Sequence, residues 1–199
     1  MTKTVEFFFD FNSPFAYLAN TQLPQLAERL GAKVVYRPAL ITAIFDGSGA
    51  STPLSIPAKA KYMNDDLARW ASFYRVPFAF NPHFPFMTVP LLRGMEAYKD
   101  DPRAQAYCDA VFNAIWVEGK NFHEKETLME TVAAVGIDPA EFAERLGDQA
   151  VKDALKSNGE EAIERGAFGA PTFFVGDQMF WGQDRLHFVG EALGADFKQ

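Results

Sequence analysis

Residues Thr4 to Phe11 (Thr-Val-Glu-Phe-Phe-Phe-Asp-Phe) are β-branched and aromatic, and the middle of the run is apolar on both faces. Such a run suits a buried central strand. Asn12-Ser13-Pro14 follows it directly. Proline is tolerated at the first position of a helix, and Asn or Ser just before it can cap free backbone N–H groups. The spacing of Leu18, Leu23, Leu26, Ala27 and Leu30 predicts one helix over 14–30, stopped at Gly31. Lys33-Val34-Val35-Tyr36-Arg37 reads as a second strand. Strand, helix, strand is a right-handed unit whose two strands run parallel.

The other end of the chain has a different pattern. Thr172-Phe173-Phe174-Val175 and Gln178-Met179-Phe180-Trp181 flank the tight turn Gly176-Asp177 and read as a hairpin. Gly182 then opens a helix over 183–193, with Leu186, Val189 and Leu193 on one face. Between the two ends the pattern is mostly helical. Met63, Leu67, Trp70 and Tyr74 predict a helix over 57–74. Asp101-Pro102 and Asp138-Pro139 each pair a cap residue with a first-turn proline, and helices are also expected over 124–135 and 150–165, the last crossing Asn158-Gly159. Residues 78–90 hold three prolines and read as an irregular loop, and Gly47-Ser48-Gly49 as a flexible tip.

A βαβ unit, a helical insertion and a ββα unit together describe an α/β chain of thioredoxin type: a four-stranded sheet with a large all-helical insertion. Residues 1–40 with 160–199 form the expected thioredoxin-like domain, and 41–159 the inserted helical subdomain. The insertion is expected on one side of the sheet, leaving a cleft between the two parts. A chain of 199 residues has little room for two independent cores.

Composition narrows the chemistry. There are 26 acidic against 19 basic residues and no basic stripe, so nucleic acid and anionic membrane are poor partners. Apolar runs end long before the ~20 residues a membrane span needs, and Met1-Thr2-Lys3 leads straight into the first strand without a leader-like segment. A cytoplasmic protein is expected. Cys108 is the only cysteine, so an intrachain dithiol is impossible, and the three histidines lack the spacing of a metal site. Phenylalanine is abundant, at 20 residues, which serves either a bulky core or an aromatic pocket.

Three segments carry chemical potential. Where a redox protein of this fold places Cys-x-x-Cys, this chain has Ser13-Pro14-Phe15-Ala16. A hydroxyl at a helix N-terminus can donate to an anion, including a thiolate brought by a ligand, although it also makes an ordinary cap. Gly166-Ala167-Phe168-Gly169-Ala170-Pro171 stands before a strand, where a cis proline would turn the Ala170 backbone toward the cleft. Trp181-Gly182-Gln183-Asp184-Arg185 offers N–H groups to a carboxylate and the Asp184 carboxylate to an ammonium, or simply an acidic first turn.

Taken in order, Asp10-Phe11-Asn12-Ser13-Pro14-Phe15-Ala16-Tyr17, Gly166 to Pro171 and Phe180 to Leu186 resemble the 2-hydroxychromene-2-carboxylate isomerases, which stand with the kappa-class glutathione transferases. The likeness spans essentially the whole chain. It implies glutathione as a cofactor that is not consumed, with Ser13 at its sulfur, Ala170 before cis Pro171 holding the cysteinyl part, and Gln183 and Asp184 holding the γ-glutamyl head. It places Lys59 near the active site. It implies a small aromatic carboxylate substrate, opened and isomerised to a trans-benzylidenepyruvate in aromatic hydrocarbon catabolism, and a homodimer. Phe45, Phe84, Phe86 and Trp116 are expected to line the aromatic pocket. The chain departs from the family pattern in the loop after the second strand, where Gly47 to Leu54 contains no ligand-binding asparagine. Two other readings use the same residues: a kappa-type transferase conjugating glutathione to an electrophile, and a redox-inactive thioredoxin-like binding module.

Overall fold

The protein was analysed as a computed structural model, which describes residues 3–195. Met1 and Thr2, on which the expected lack of a leader rests, and residues 196–199 lie outside the described residues. Strand β1 (Lys3–Phe9) lies inside a sheet of order β2-β1-β3-β4, parallel to β2 (Ala32–Pro38) and antiparallel to β3 (Thr172–Val175), with β4 (Gln178–Trp181) antiparallel to β3. This is the predicted topology, and the fold is DsbA-like thioredoxin with a helical insertion.

Alternation along β1 gives each face its own cover. Phe7 stacks on both Phe9 and Phe173, and Phe9 reaches Phe112 of the insertion. Phe8 points the other way and packs with Phe174, Ile44 and Ala162. Ile44 and Ala162 belong to helices α3 (Ile41–Ser48) and α9 (Gln149–Glu164). The insertion therefore covers both faces of the sheet, not the one side expected, because fully buried Phe8 needs apolar cover as much as Phe9 does.

The first predicted helix is two: α1 (Pro14–Asn20) and α2 (Leu23–Arg29). Pro24 lacks the N–H that a continuous helix would donate to residue 20, and Thr21 Oγ1 donates to the Leu18 carbonyl at 2.7 Å, closing the first piece. Helix α3 occupies ground that reads as loop. Gly47 is no flexible tip: a Cβ there would meet Ile163 Cδ1 at 2.5 Å, so the missing side chain lets α3 lie against α9, and Gly49 ends the helix with φ 72°. Helix α4 (Pro57–Tyr74) has the predicted limits; α5 (Val89–Tyr98) rises from the end of the proline-rich loop unforeseen. Helices α6 (Ala104–Trp116), α7 (Lys125–Ala134) and α8 (Pro139–Arg145) precede α9, which runs unbroken through Asn158-Gly159. The Asn158 amide donates to the Pro38 carbonyl and to Glu96 from inside the core. A short 3-10 turn, Gln183–Arg185, leads into α10 (Leu186–Ala192). Among the described residues no helix is long and apolar enough to cross a membrane.

Candidate active site

The turn between β1 and α1 is tied to itself by the Ser13 N–H, which donates to the Asp10 carbonyl at 2.9 Å. Ser13 caps α1: its Oγ accepts the Ala16 N–H at 3.2 Å. The same hydroxyl donates to the Ala170 carbonyl at 2.9 Å, a buried bond between residues 157 apart in sequence. Two of the three motifs thus meet at one atom. The Ala170–Pro171 peptide is cis, the isomer the sequence left open, and Thr172 Oγ1 donates to the Gly169 carbonyl at 2.7 Å behind it.

A cavity of about 860 Å³ opens in front of Ser13 and Ala170. Helix α3 supplies Ile41 and Phe45, the segment after it Ser51 and Thr52, and α4 supplies Lys59, Tyr62 and Asp66. Phe80, Phe84 and Pro85 make another wall, and Phe168 with Trp181 the rim. The lining is mainly apolar, with Lys59 as its cation and Asp66 as its carboxylate. Tyr62 Oη donates to Asp66 Oδ1 at 3.4 Å on the same helix face. The 47–54 segment does border the cavity, through Ala50 to Leu54, and offers hydroxyls there in place of an amide.

Ser13, Ala170, Lys59, Phe45 and Phe84 are brought together as expected. Trp116 is not with them. It has no exposed surface, its Nε1 donates to the Phe11 carbonyl at 3.0 Å, and its ring supports Phe80 and Phe84 from behind. Phe86 is also buried, against Phe122 and His123, outside the cavity lining. Both rings are core residues beneath the pocket wall, because an aromatic ring next to a cavity is better buried than wetted.

Of the third motif, Trp181 borders the cavity, while Gln183 and Asp184 lie outside its lining. Gln183 is buried and its carbonyl accepts the Tyr74 hydroxyl at 2.8 Å. The Asp184 carboxylate folds back over Gly182 (φ 102°), where a Cβ would stand 2.5 Å from Oδ1, and pairs with Arg185 at 2.7 Å.

The rim carries no signal of its own in the sequence. Phe168 and Trp181 pack at a tilt with centroids 4.8 Å apart, and Gly169 lies so close under the indole that a Cβ would meet Trp181 Nε1 at 2.8 Å. Both residues stand inside the motifs named above, and their half-exposed rings show only in the structure. Cys108 is remote from this chemistry: burial pushes its thiol well above the usual range, and Sγ donates to Asn20 Oδ1. Among the described residues no cluster could hold a metal ion.

The DsbA-like thioredoxin domain family matches residues 4–194. The chain is 36% identical over 199 residues to a 2-hydroxychromene-2-carboxylate isomerase of Sphingobium xenophagum, covering 97% of this chain and 99% of that protein. It superposes on a solved structure of 2-hydroxychromene-2-carboxylate isomerase with a TM-score of 0.87 at 34% identity, covering 96% and 94% of the two chains. It is also 27% identical over 212 residues to glutathione S-transferase kappa 1 of Homo sapiens, covering 98% of this chain and 92% of that protein. Within the DsbA-like thioredoxin fold, the chain belongs to the 2-hydroxychromene-2-carboxylate isomerase family.

Proposed function

We propose that this protein is a glutathione-dependent isomerase that opens a 2-hydroxychromene-2-carboxylate-type ring and delivers the trans-benzylidenepyruvate. One observation carries the reading. A buried serine hydroxyl and a backbone carbonyl meet at the floor of a largely apolar cavity to which Lys59 brings a cation. Relatives named for the isomerase and for glutathione transfer support it. The donor set suits a thiol cofactor: a hydroxyl to stabilise a sulfur anion, no cysteine in the lining to compete for it, and a strand-leading backbone beside it.

When bound, glutathione supplies a sulfur nucleophile that adds reversibly to the conjugated carbon and so permits rotation about a former double bond. The chain's own groups set up that chemistry. Ser13 Oγ now gives its proton to the Ala170 carbonyl. Rotation about Cβ–Oγ would let Ser13 give that proton to a thiolate and would leave the Ala170 carbonyl open to a donor on the cofactor. Each pKa unit of thiol acidification needs about 1.4 kcal/mol of preferential thiolate stabilisation. Gln183 and Asp184 would hold the amino-acid head of the cofactor, Asp184 offering the ammonium the carboxylate that now pairs with Arg185. Lys59 takes the substrate carboxylate, and the aromatic walls flank the ring and keep water from competing.

The test is to incubate the enzyme with a 2-hydroxychromene-2-carboxylate, with and without glutathione, and to follow isomer and total glutathione together. Isomer formed only with glutathione, at constant total glutathione, is expected. Stoichiometric loss of glutathione would assign the site to conjugation, and turnover without it would remove the cofactor from the account.

A further inference from the structure

Two residues ahead of Ser13 have their side chains fully committed, and to opposite parts of the cavity. Asp10 has no exposed surface. One carboxylate oxygen accepts the Asn12 N–H at 2.9 Å, and the other accepts the N–H of Ile41, the first residue of α3, also at 2.9 Å. Burial raises its pKa against these bonds, so the fold tolerates a costly group here. Asn12 reaches the other way. Its amide donates to the Phe86 carbonyl at 2.7 Å, and its Oδ1 accepts the Phe86 N–H at 3.1 Å, a two-point clamp on one backbone unit.

Each fastener ends on a cavity wall. Ile41, Thr42 and Phe45 face the cavity from α3, while Phe80, Phe84 and Pro85 belong to the segment that Asn12 holds at Phe86. Neither wall is adjacent to Ser13 in sequence, yet both hang from residues within three positions of it. An error of about 1 Å in such an arrangement can cost about a hundredfold in rate.

We infer that Asp10 and Asn12 are positioning residues that set the spacing between the Ser13 hydroxyl and the two walls that hold the aromatic substrate. Asp10 lies outside the cavity lining, and Asn12 borders the cavity beside Ser13 with both ends of its amide spent on Phe86; the two act through Ser13, Ile41 and Phe86. The inference rests on the proposed reading of Ser13 as the centre of the site.

The experiment compares wild type with Asn12→Ala, which removes both bonds to Phe86, and with Asp10→Asn, an isosteric change that keeps the fold within reach if the first variant unfolds. Asp138→Ala serves as control, since it deletes the cap of α8, remote from the cavity lining. Affinity for 1-naphthoate, a flat aromatic carboxylate, is measured by fluorescence without glutathione, beside glutathione affinity, KM, kcat and Tm. In both variants naphthoate affinity is expected to fall, and KM for the aromatic substrate to rise, by about tenfold, with glutathione affinity kept. The control is expected to lose Tm alone. Folded variants with unchanged naphthoate affinity and KM, and loss confined to Tm, would overturn the inference. A wild type that binds naphthoate but not glutathione would instead overturn the cofactor reading, and the naphthoate comparison would still decide the roles of Asp10 and Asn12.

Discussion

Replacing Ser13 with Ala removes one oxygen that serves two buried partners. The Ala16 N–H loses its cap and the Ala170 carbonyl loses its donor. An N-cap of this kind is worth about 1 kcal/mol. A buried carbonyl left unpaired costs about 1–3 kcal/mol, and the low end applies where the cavity lets water reach it. The sum is about 2–3 kcal/mol, and for a domain of this length that lowers Tm by about 4–12 °C. Calorimetry together with urea unfolding reads it, the second to show that the m-value, and so the two-state comparison, is unchanged. An unchanged Tm would mean that the hydroxyl bridges nothing in solution. The link drawn between the Ser13 turn and the Ala170 loop would then fail. The same measurement matters for any activity data on this variant, since a protein weakened by this amount must be assayed well below its new Tm.

Three further outcomes follow from particular contacts. Gly94→Ala in α5 would place a Cβ 2.4 Å from both Phe142 Cζ and the Tyr107 hydroxyl; overpacking should cost about 1–3 kcal/mol in urea unfolding, although glycine to alanine in an open helix gains about 0.5–1 kcal/mol. Gly169→Ala must push the Trp181 indole off the rim, so KM for the aromatic substrate should rise with little change in Tm, the displaced ring being half exposed. Burial raises the Asp109 carboxyl above its ordinary value of 3.8, against hydrogen bonds from Asn20 and Gln105. The unfolded chain therefore gives up this proton first, and stability falls as pH rises from the ordinary value through the raised one and stays lower above it. Asp109→Asn should remove that part of the slope in unfolding free energy against pH, leaving the part that buried Asp10 contributes in the same direction.

The elements that could be read from sequence are those whose pattern is local. Helix α4 shows a long apolar period and a proline at its start, and its limits follow. Strand β1 and the β3–β4 hairpin announce themselves by β-branched and aromatic runs around short turns. Helix α3 is hidden because Gly47-Ser48-Gly49 has the composition of a loop; what makes it a helix is Ile163, more than a hundred residues away. The split between α1 and α2 is local chemistry written in Pro24, which the leucine period masks. At the site, Ser13 and Ala170 were legible because their types and positions carry a mechanism. Phe86 and Trp116 were not, since nothing in an aromatic residue's identity distinguishes a pocket wall from the layer supporting it. By sequence Asp10 falls in the first strand run and Asn12 is a possible helix cap, and only the long-range partners Ile41 and Phe86 give them another meaning.

The ionisation of glutathione's thiol, followed by its ultraviolet absorbance against pH on wild type and on Ser13→Ala at saturating protein, addresses the serine–sulfur contact itself. The wild type should lower the thiol pKa by at least about one unit, equivalent to about 1.4 kcal/mol, and the variant should return it toward the free value. A bound thiol that titrates like free glutathione on the wild type, or identically on both proteins, would contradict the account.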